Sequence, residues 1–105
     1  MGLLFRKEDR ERVANGEITV TFRLWQRAHV KAGKRYSTGF GTAEVEDVQV
    51  MPAGMVSADD VAATGCADVA AVWESAGEHT GAVVKGETLL HRVRFRMVDA
   101  QVGPK

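Results

Sequence analysis

Asn15-Gly16-Glu17-Ile18-Thr19-Val20-Thr21-Phe22-Arg23-Leu24-Trp25 is the stretch whose reading decides the fold. Asn15-Gly16 is a helix stop, because glycine enters the left-handed conformation there without a Cβ penalty. Beyond it the chain alternates with the period of a half-buried strand: Ile18, Val20, Phe22 and Leu24 on one face, Thr19, Thr21, Arg23 and Trp25 on the other. The second face carries hydroxyls, a guanidinium and an indole, groups that donate hydrogen bonds to a ligand or stack on one. The competing reading is a solvated sheet face rich in β-branched residues. The concentration of these groups directly after a helix stop favours a site.

Upstream, Leu3-Leu4-Phe5 reads as a first strand or its stub, and residues 7–14 suit a surface helix whose thin apolar face holds only Val13 and Ala14. Downstream, residues 26–33 lack periodicity and carry Arg27, His29 and Lys31, a basic loop. Lys34-Arg35-Tyr36-Ser37-Thr38 is a short strand closed by a turn at Gly39-Phe40-Gly41. Residues 42–51 alternate with a slip: Ala43 and Val45 keep one phase, Val48 and Val50 the other, which predicts a β-bulge near Glu46 or Asp47.

Past a break at Pro52-Ala53-Gly54, Ser57 and Asp60 form a capping-box pattern, with Val56 and Val61 placed as a hydrophobic staple. The helix they start runs to about Thr64 and stops at Gly65. A second helix begins near Asp68, with Val69, Val72, Trp73 and Ala76 on one face. Trp73 reads as the anchor that docks it on the sheet. Residues 78–87 read as a loop. Residues 88–98 form the last strand, with Leu89, His91, Val93, Phe95 and Met97 on one face and Leu90, Arg92, Arg94 and Arg96 on the other. The tail from Asp99 is expected to fray. Strands at both ends, a helical pair between and a bulge that curls the sheet predict an α+β fold: a small curled β-barrel of about five to six strands with two or three flanking helices.

The 105 residues, 45% hydrophobic and 27% charged, suit one globular domain with one core. No apolar run reaches the roughly 20 residues that span a bilayer, and the N-terminal apolar run breaks at Arg6, so no membrane role is expected. Fourteen basic and fourteen acidic residues cancel, so any affinity for nucleic acid must come from a local patch. The single cysteine, Cys66, excludes an internal disulfide and fits a reducing, cytoplasmic compartment. It reads as a small residue at a helix junction rather than a nucleophile. His29, His79 and His91 have no metal-ligand spacing, and no phosphate loop or nucleophile elbow is present, so no cofactor is expected. His91, on an apolar strand face, reads as a core or barrel-end histidine, with a proton carrier as the alternative.

Two basic clusters remain. Arg92, Arg94 and Arg96 repel one another unless acids such as Glu44 or Glu46, or an anion, lie opposite; the cross-strand ladder is the favoured reading and phosphate contact the alternative. Arg27, Lys31, Lys34, Arg35 and Tyr36 combine cations with an aromatic ring, which suits contact with a nucleic-acid backbone and base.

At these residues the sequence resembles the ASCH family of the PUA-like superfamily. The family signature is a Gly, a Lys two residues on, a Thr-rich strand and an Arg, after a short helix. Gly16-Glu17-Ile18-Thr19-Val20-Thr21-Phe22-Arg23 is similar in its Gly, its Thr-containing strand and its Arg, while Ile18 stands where the family has Lys. The turn at Gly33, the strand around residues 45–50, the capped helix from Ser57 and the closing strand resemble the family too, so the likeness spans roughly residues 3–98. It implies a β-barrel with a cleft beside the Thr-rich strand and a role in binding RNA or modified nucleosides. Some members hydrolyse the acetyl amide of acetylcytidine with a Lys, a Thr and a Glu, and some are described as ribonucleases. The Thr matches Thr21; the Glu falls near Thr64 without gaps, with Glu74 further along. A threonine hydroxyl needs a base to take its proton, and isoleucine cannot serve.

The expectation is therefore a binding module for RNA or a nucleotide, with Gly16, Thr19, Thr21, Arg23, Trp25, Lys34, Tyr36 and Arg94 as candidate ligand residues. The alternative is a hydrolase of a nucleoside amide or of single-stranded RNA, with Thr21 in its site. The third reading is a protein-interaction domain.

Overall fold

A computed structural model of the chain describes residue 3, residues 5–78 and residues 81–100, with side chains as far as residue 98. The architecture is α+β: one open antiparallel sheet of four strands, with helices packed beside it. The strands are β1 (Val20–Arg23), β2 (Arg35–Ser37), β3 (Gly41–Pro52) and β4 (Leu89–Ala100), in the order β1-β4-β3-β2. The helices are α1 (Arg10–Ala14), entered through a 3-10 turn at Lys7–Asp9, α2 (Ala58–Thr64) and α3 (Val69–Gly77).

The expected barrel had five to six strands; among the described residues the sheet has four and does not close. Two local features bear on the difference. Leu3 is fully buried and donates its N–H to the Ser37 carbonyl at 2.9 Å, yet among the described residues no strand forms there. Ile18 and Thr19 alternate as a strand should, but the Thr19 N–H is taken by the Ala63 carbonyl of α2 at 2.9 Å, so β1 starts only at Val20. Leu4 and the tail from residue 101 lie outside the described residues.

Local signals elsewhere set the elements as read. The register of β3 on β4 slips between Val45 and Asp47, leaving Glu46 as the extra residue of a bulge. The Ser57 hydroxyl accepts the Asp60 N–H at 3.1 Å, and Asp68 accepts the Ala71 N–H at 2.9 Å. Each cap is worth about 1 kcal/mol. Gly65 closes α2 at φ 76°, and a Cβ there would meet Ile18 and the Arg12 guanidinium within 3 Å, so this glycine lets the end of α2 approach the start of β1.

Two apolar clusters cover part of each face of the sheet. Val45, Val93 and Phe95 pack with Leu3, Val13, Ile18 and Phe40 on one side. Val20, Phe22 and Leu90 pack with Ala53, Val72 and Ala76 under α3 on the other. Trp73 docks α3 as expected, its indole N–H donating to the Ala53 carbonyl at 3.0 Å. Cys66 is a half-buried free thiol at the α2–α3 junction. Among the described residues no helix is long and apolar enough to cross a membrane.

The arginine stripe of β4 finds carboxylates. Arg96 reaches Glu44 at 3.0 Å and Arg94 reaches Glu46 at 3.6 Å across the sheet. Arg92 lies 3.0 Å from Asp60 and so ties α2 to the sheet. The guanidinium groups of Arg96 and Arg35 hold the Glu44 carboxyl below its ordinary range.

Candidate functional site

β1 is an edge strand: β4 covers one side of it, and a cleft of about 770 Å³ opens along the other. One wall is the segment from Phe5 to Arg12; the other is α3 with the turn at Gly81 and the residues after it. Thr21 and Phe22 lie between them, and a narrower extension of the cleft runs on past Arg23 and Ser75. The site exists because the apolar residues at positions 20 and 22 turn under α3, which brings those at 21 and 23 to the face held by Phe5.

Thr21 and Arg23 form a local unit. The Arg23 Nε donates to the Thr21 hydroxyl at 3.0 Å, and the guanidinium lies 5.3 Å from the centroid of the Phe5 ring. Burial pushes the Arg23 pKa down to about 10, far from titrating near neutral pH but the mark of a desolvated charge. The Thr21 oxygen is an acceptor in this contact, so its proton stays available for donation into the cleft. Arg6 crosses the cleft mouth: it bonds Asp9 at 3.0 Å on its own wall and reaches Glu78 at 3.6 Å at the end of α3. Asp9 raises the Arg6 pKa further.

The cleft is close to neutral in charge. Arg6, Arg12 and Arg23 face Asp9, Glu74 and Glu78. No lysine lines it among the described residues, and Ile18, in the family's Lys position, is buried in the core. Thr64 lines the cleft as well, but its hydroxyl is committed to the end of α2, donating to the Val61 carbonyl at 2.7 Å.

The other candidate residues lie elsewhere. Trp25 stacks on His29, with ring centroids 4.6 Å apart, and sits 5.5 Å from His91. Lys34 is exposed beside β2, at the far edge of the sheet from β1, and the Tyr36 hydroxyl there accepts the Lys31 N–H at 2.7 Å. Arg94 faces Glu46 on β3. Gly16 is an exposed turn residue and Thr19 is half-buried at the entrance to β1. Thus the structure joins Thr21 with Arg23 and separates both from Trp25, Lys34, Tyr36 and Arg94. The sequence reading missed Phe5, Arg6, Asp9 and Glu78. Their only signal was an aromatic residue abutting a charge-dense segment, which a surface helix presents equally well.

His91 is 5% exposed, and its Nδ1 is buried without a hydrogen-bond partner among the described residues. Burial first, and His29 second, hold its pKa below the ordinary imidazole value.

No family model matches the sequence, and a comparison with curated proteins finds no match. Solved structures do match in fold. A protein from Enterococcus faecalis of the DUF984 family aligns with a TM-score of 0.72 at 18% identity, covering 100% of this chain and 85% of that one. An ASCH domain from Lactobacillus crispatus aligns with a TM-score of 0.65 at 18% identity, covering 86% of this chain and 70% of that one. At this identity the likeness carries architecture alone: the chain has an ASCH-like fold.

Proposed function

We propose that the protein is a non-catalytic binding module for a nucleoside or mononucleotide, held in the cleft beside β1, with Thr21 and Arg23 as its principal polar contacts. The observation that carries this reading is the pairing of those two residues where the cleft runs into its narrow extension, with a desolvated guanidinium held by a hydroxyl and an aromatic ring. A cleft of about 770 Å³ suits a ligand of nucleotide size. Its balanced charge favours a small ligand over a long single strand, because a polyanion draws its affinity from a basic track. In this reading the curl that the Glu46 bulge gives to β3, with Leu3 laid along β2, is that of a PUA-like barrel.

Hydrolysis is the second reading, favoured by one observation: Glu74 and Thr21 line the same cleft. Against it, Thr21 has no base bonded to its hydroxyl among the described residues, and Ile18 offers none. A threonine without a proton acceptor is a poor nucleophile.

Calorimetric titration with nucleoside monophosphates and with short single-stranded RNA, at several salt concentrations, tests the binding reading. Saturable binding of the monophosphates is expected, weakened by about 1–3 kcal/mol in Arg23→Ala, the worth of a hydrogen bond to a charged group. Absence of saturable binding at low salt, or equal affinity in Arg23→Ala, removes it. Turnover of acetylcytidine or RNA that disappears in Thr21→Ala would establish the hydrolase instead.

A further inference from the structure

The side of β1 that lines the cleft is main chain as much as side chain. Val20, Thr21, Phe22 and Arg23 oppose Arg94, Val93, Arg92 and His91 of β4, and the Phe95 N–H reaches the Thr19 carbonyl at 2.9 Å. That bond fixes the phase of the ladder. In an antiparallel pair the main-chain groups of successive residues point alternately toward and away from the partner strand. The Thr19 carbonyl and the main-chain groups of Thr21 and Arg23 therefore turn toward β4, while the N–H and C=O of Val20 and Phe22 turn outward, to the edge along which the cleft lies.

The side chains of these two residues are committed to the core under α3, and the residues are 2% and 4% exposed. Phe22 lines both the cleft and its extension, and its outward N–H and C=O leave the strand on that edge. Among the described residues no hydrogen bond occupies the outward side of either residue. A peptide N–H and C=O on a strand edge take a partner whenever a ligand displaces water from them. In Phe22 the two groups leave one residue in the same direction, a donor beside an acceptor. Their complement is a flat rim with an acceptor beside a donor, the amide or amidine edge of a heterocyclic base.

We propose that Phe22 reads the ligand through its main-chain N–H and C=O, pairing with the amide-type edge of a nucleobase. The inference rests on the reading of the cleft as a nucleoside or mononucleotide site. It adds a specificity rule: the site tolerates a change of base that keeps an adjacent donor and acceptor, and rejects methylation of the paired ring nitrogen.

Uridine monophosphate and 3-methyluridine monophosphate are the probes, since the methyl group removes the ring donor while leaving both carbonyls, the ribose and the phosphate. The methylated probe should bind at least tenfold more weakly. With uridine monophosphate at saturation, the Phe22 amide proton should shift and its hydrogen exchange slow in NMR spectra of the labelled protein. The Thr21 and Arg23 amides, turned into the sheet, should keep their exchange rates. Equal affinity for the two probes, or a Phe22 amide whose exchange is unchanged at saturation, overturns main-chain reading and leaves the cleft assignment standing. Failure of uridine monophosphate to bind at all overturns both.

Discussion

Arg23 on β1 and the stripe Arg92, Arg94 and Arg96 on β4 are the same residue type on neighbouring strands, and they are held in opposite ways. The stripe is matched by carboxylates: Asp60 for Arg92, Glu46 for Arg94 and Glu44 for Arg96, at 3.0 to 3.6 Å. Arg23 lies against a hydroxyl and a phenyl ring, and burial lowers its pKa to about 10. The arginines of the stripe sit half in solvent or against α2 and meet charge with charge, whereas Arg23 is desolvated beside the narrow extension of the cleft. Charge periodicity alone does not tell the two apart, because the partners of the stripe lie far away in sequence.

The contrast can be broken at its structural end first. Arg92 and Asp60 are 16% and 13% exposed at their side chains, so Asp60→Ala leaves a largely buried guanidinium with only the longer Asp47 contact at 3.8 Å and removes the ion pair between α2 and the sheet. A loss of about 1.5–3 kcal/mol in urea unfolding is expected, with ligand affinity unchanged. A loss under about 0.5 kcal/mol would mean that α2 is held by the Val61 contact and the Thr19–Ala63 bond alone.

The Arg23 end of the sheet can be probed by pH. His91 lies directly across from Arg23 on β4 and from Val50 on β3, with Trp25 against its ring and His29 beyond. Its folded pKa is lowered, so the unfolded chain binds the proton more readily. Stability from this group is fully present above the unfolded imidazole value, near 6.5, and declines as pH falls below it toward the folded pKa. Thermal unfolding followed from pH 7.5 down to about 5 should show this decline, and His91→Gln should flatten it. An unchanged slope in that variant would place the acid sensitivity elsewhere.

The smallest effect belongs to Arg94. Its pair with Glu46 spans 3.6 Å with the arginine side chain 50% exposed, so Arg94→Ala should change stability by less than about 0.5 kcal/mol and leave monophosphate binding as it was. Weakened binding in this variant would join the stripe to the site and dissolve the contrast.

Much of the secondary structure was legible because its causes are local. A hydroxyl reaches an N–H three residues on, which is why Ser57 announced α2, and a phase slip in side-chain alternation marks an extra residue wherever the strand lies, which is why Glu46 announced its bulge. The short end of β1 was not legible, because Thr19 alternates correctly and loses its place to a carbonyl of α2. Within the candidate site, Thr21 and Arg23 could be named from their own strand. Trp25 sits two positions further along the same alternation, yet His29 and His91 claim its ring. Phe5, Arg6 and Glu78 entered the site only through packing.

The sequence by itself determined the caps and stop of α2, the start of α3 and the Glu46 bulge of β3, since each follows from hydrogen bonds and periodicities spanning a few residues. The tertiary structure alone decided that β1 lies at the sheet edge, that the β4 arginines meet carboxylates, and that Thr21 lines a cleft whose narrow extension reaches Arg23. Those outcomes depend on strand order and on pairings between residues distant in the chain, which no local pattern encodes.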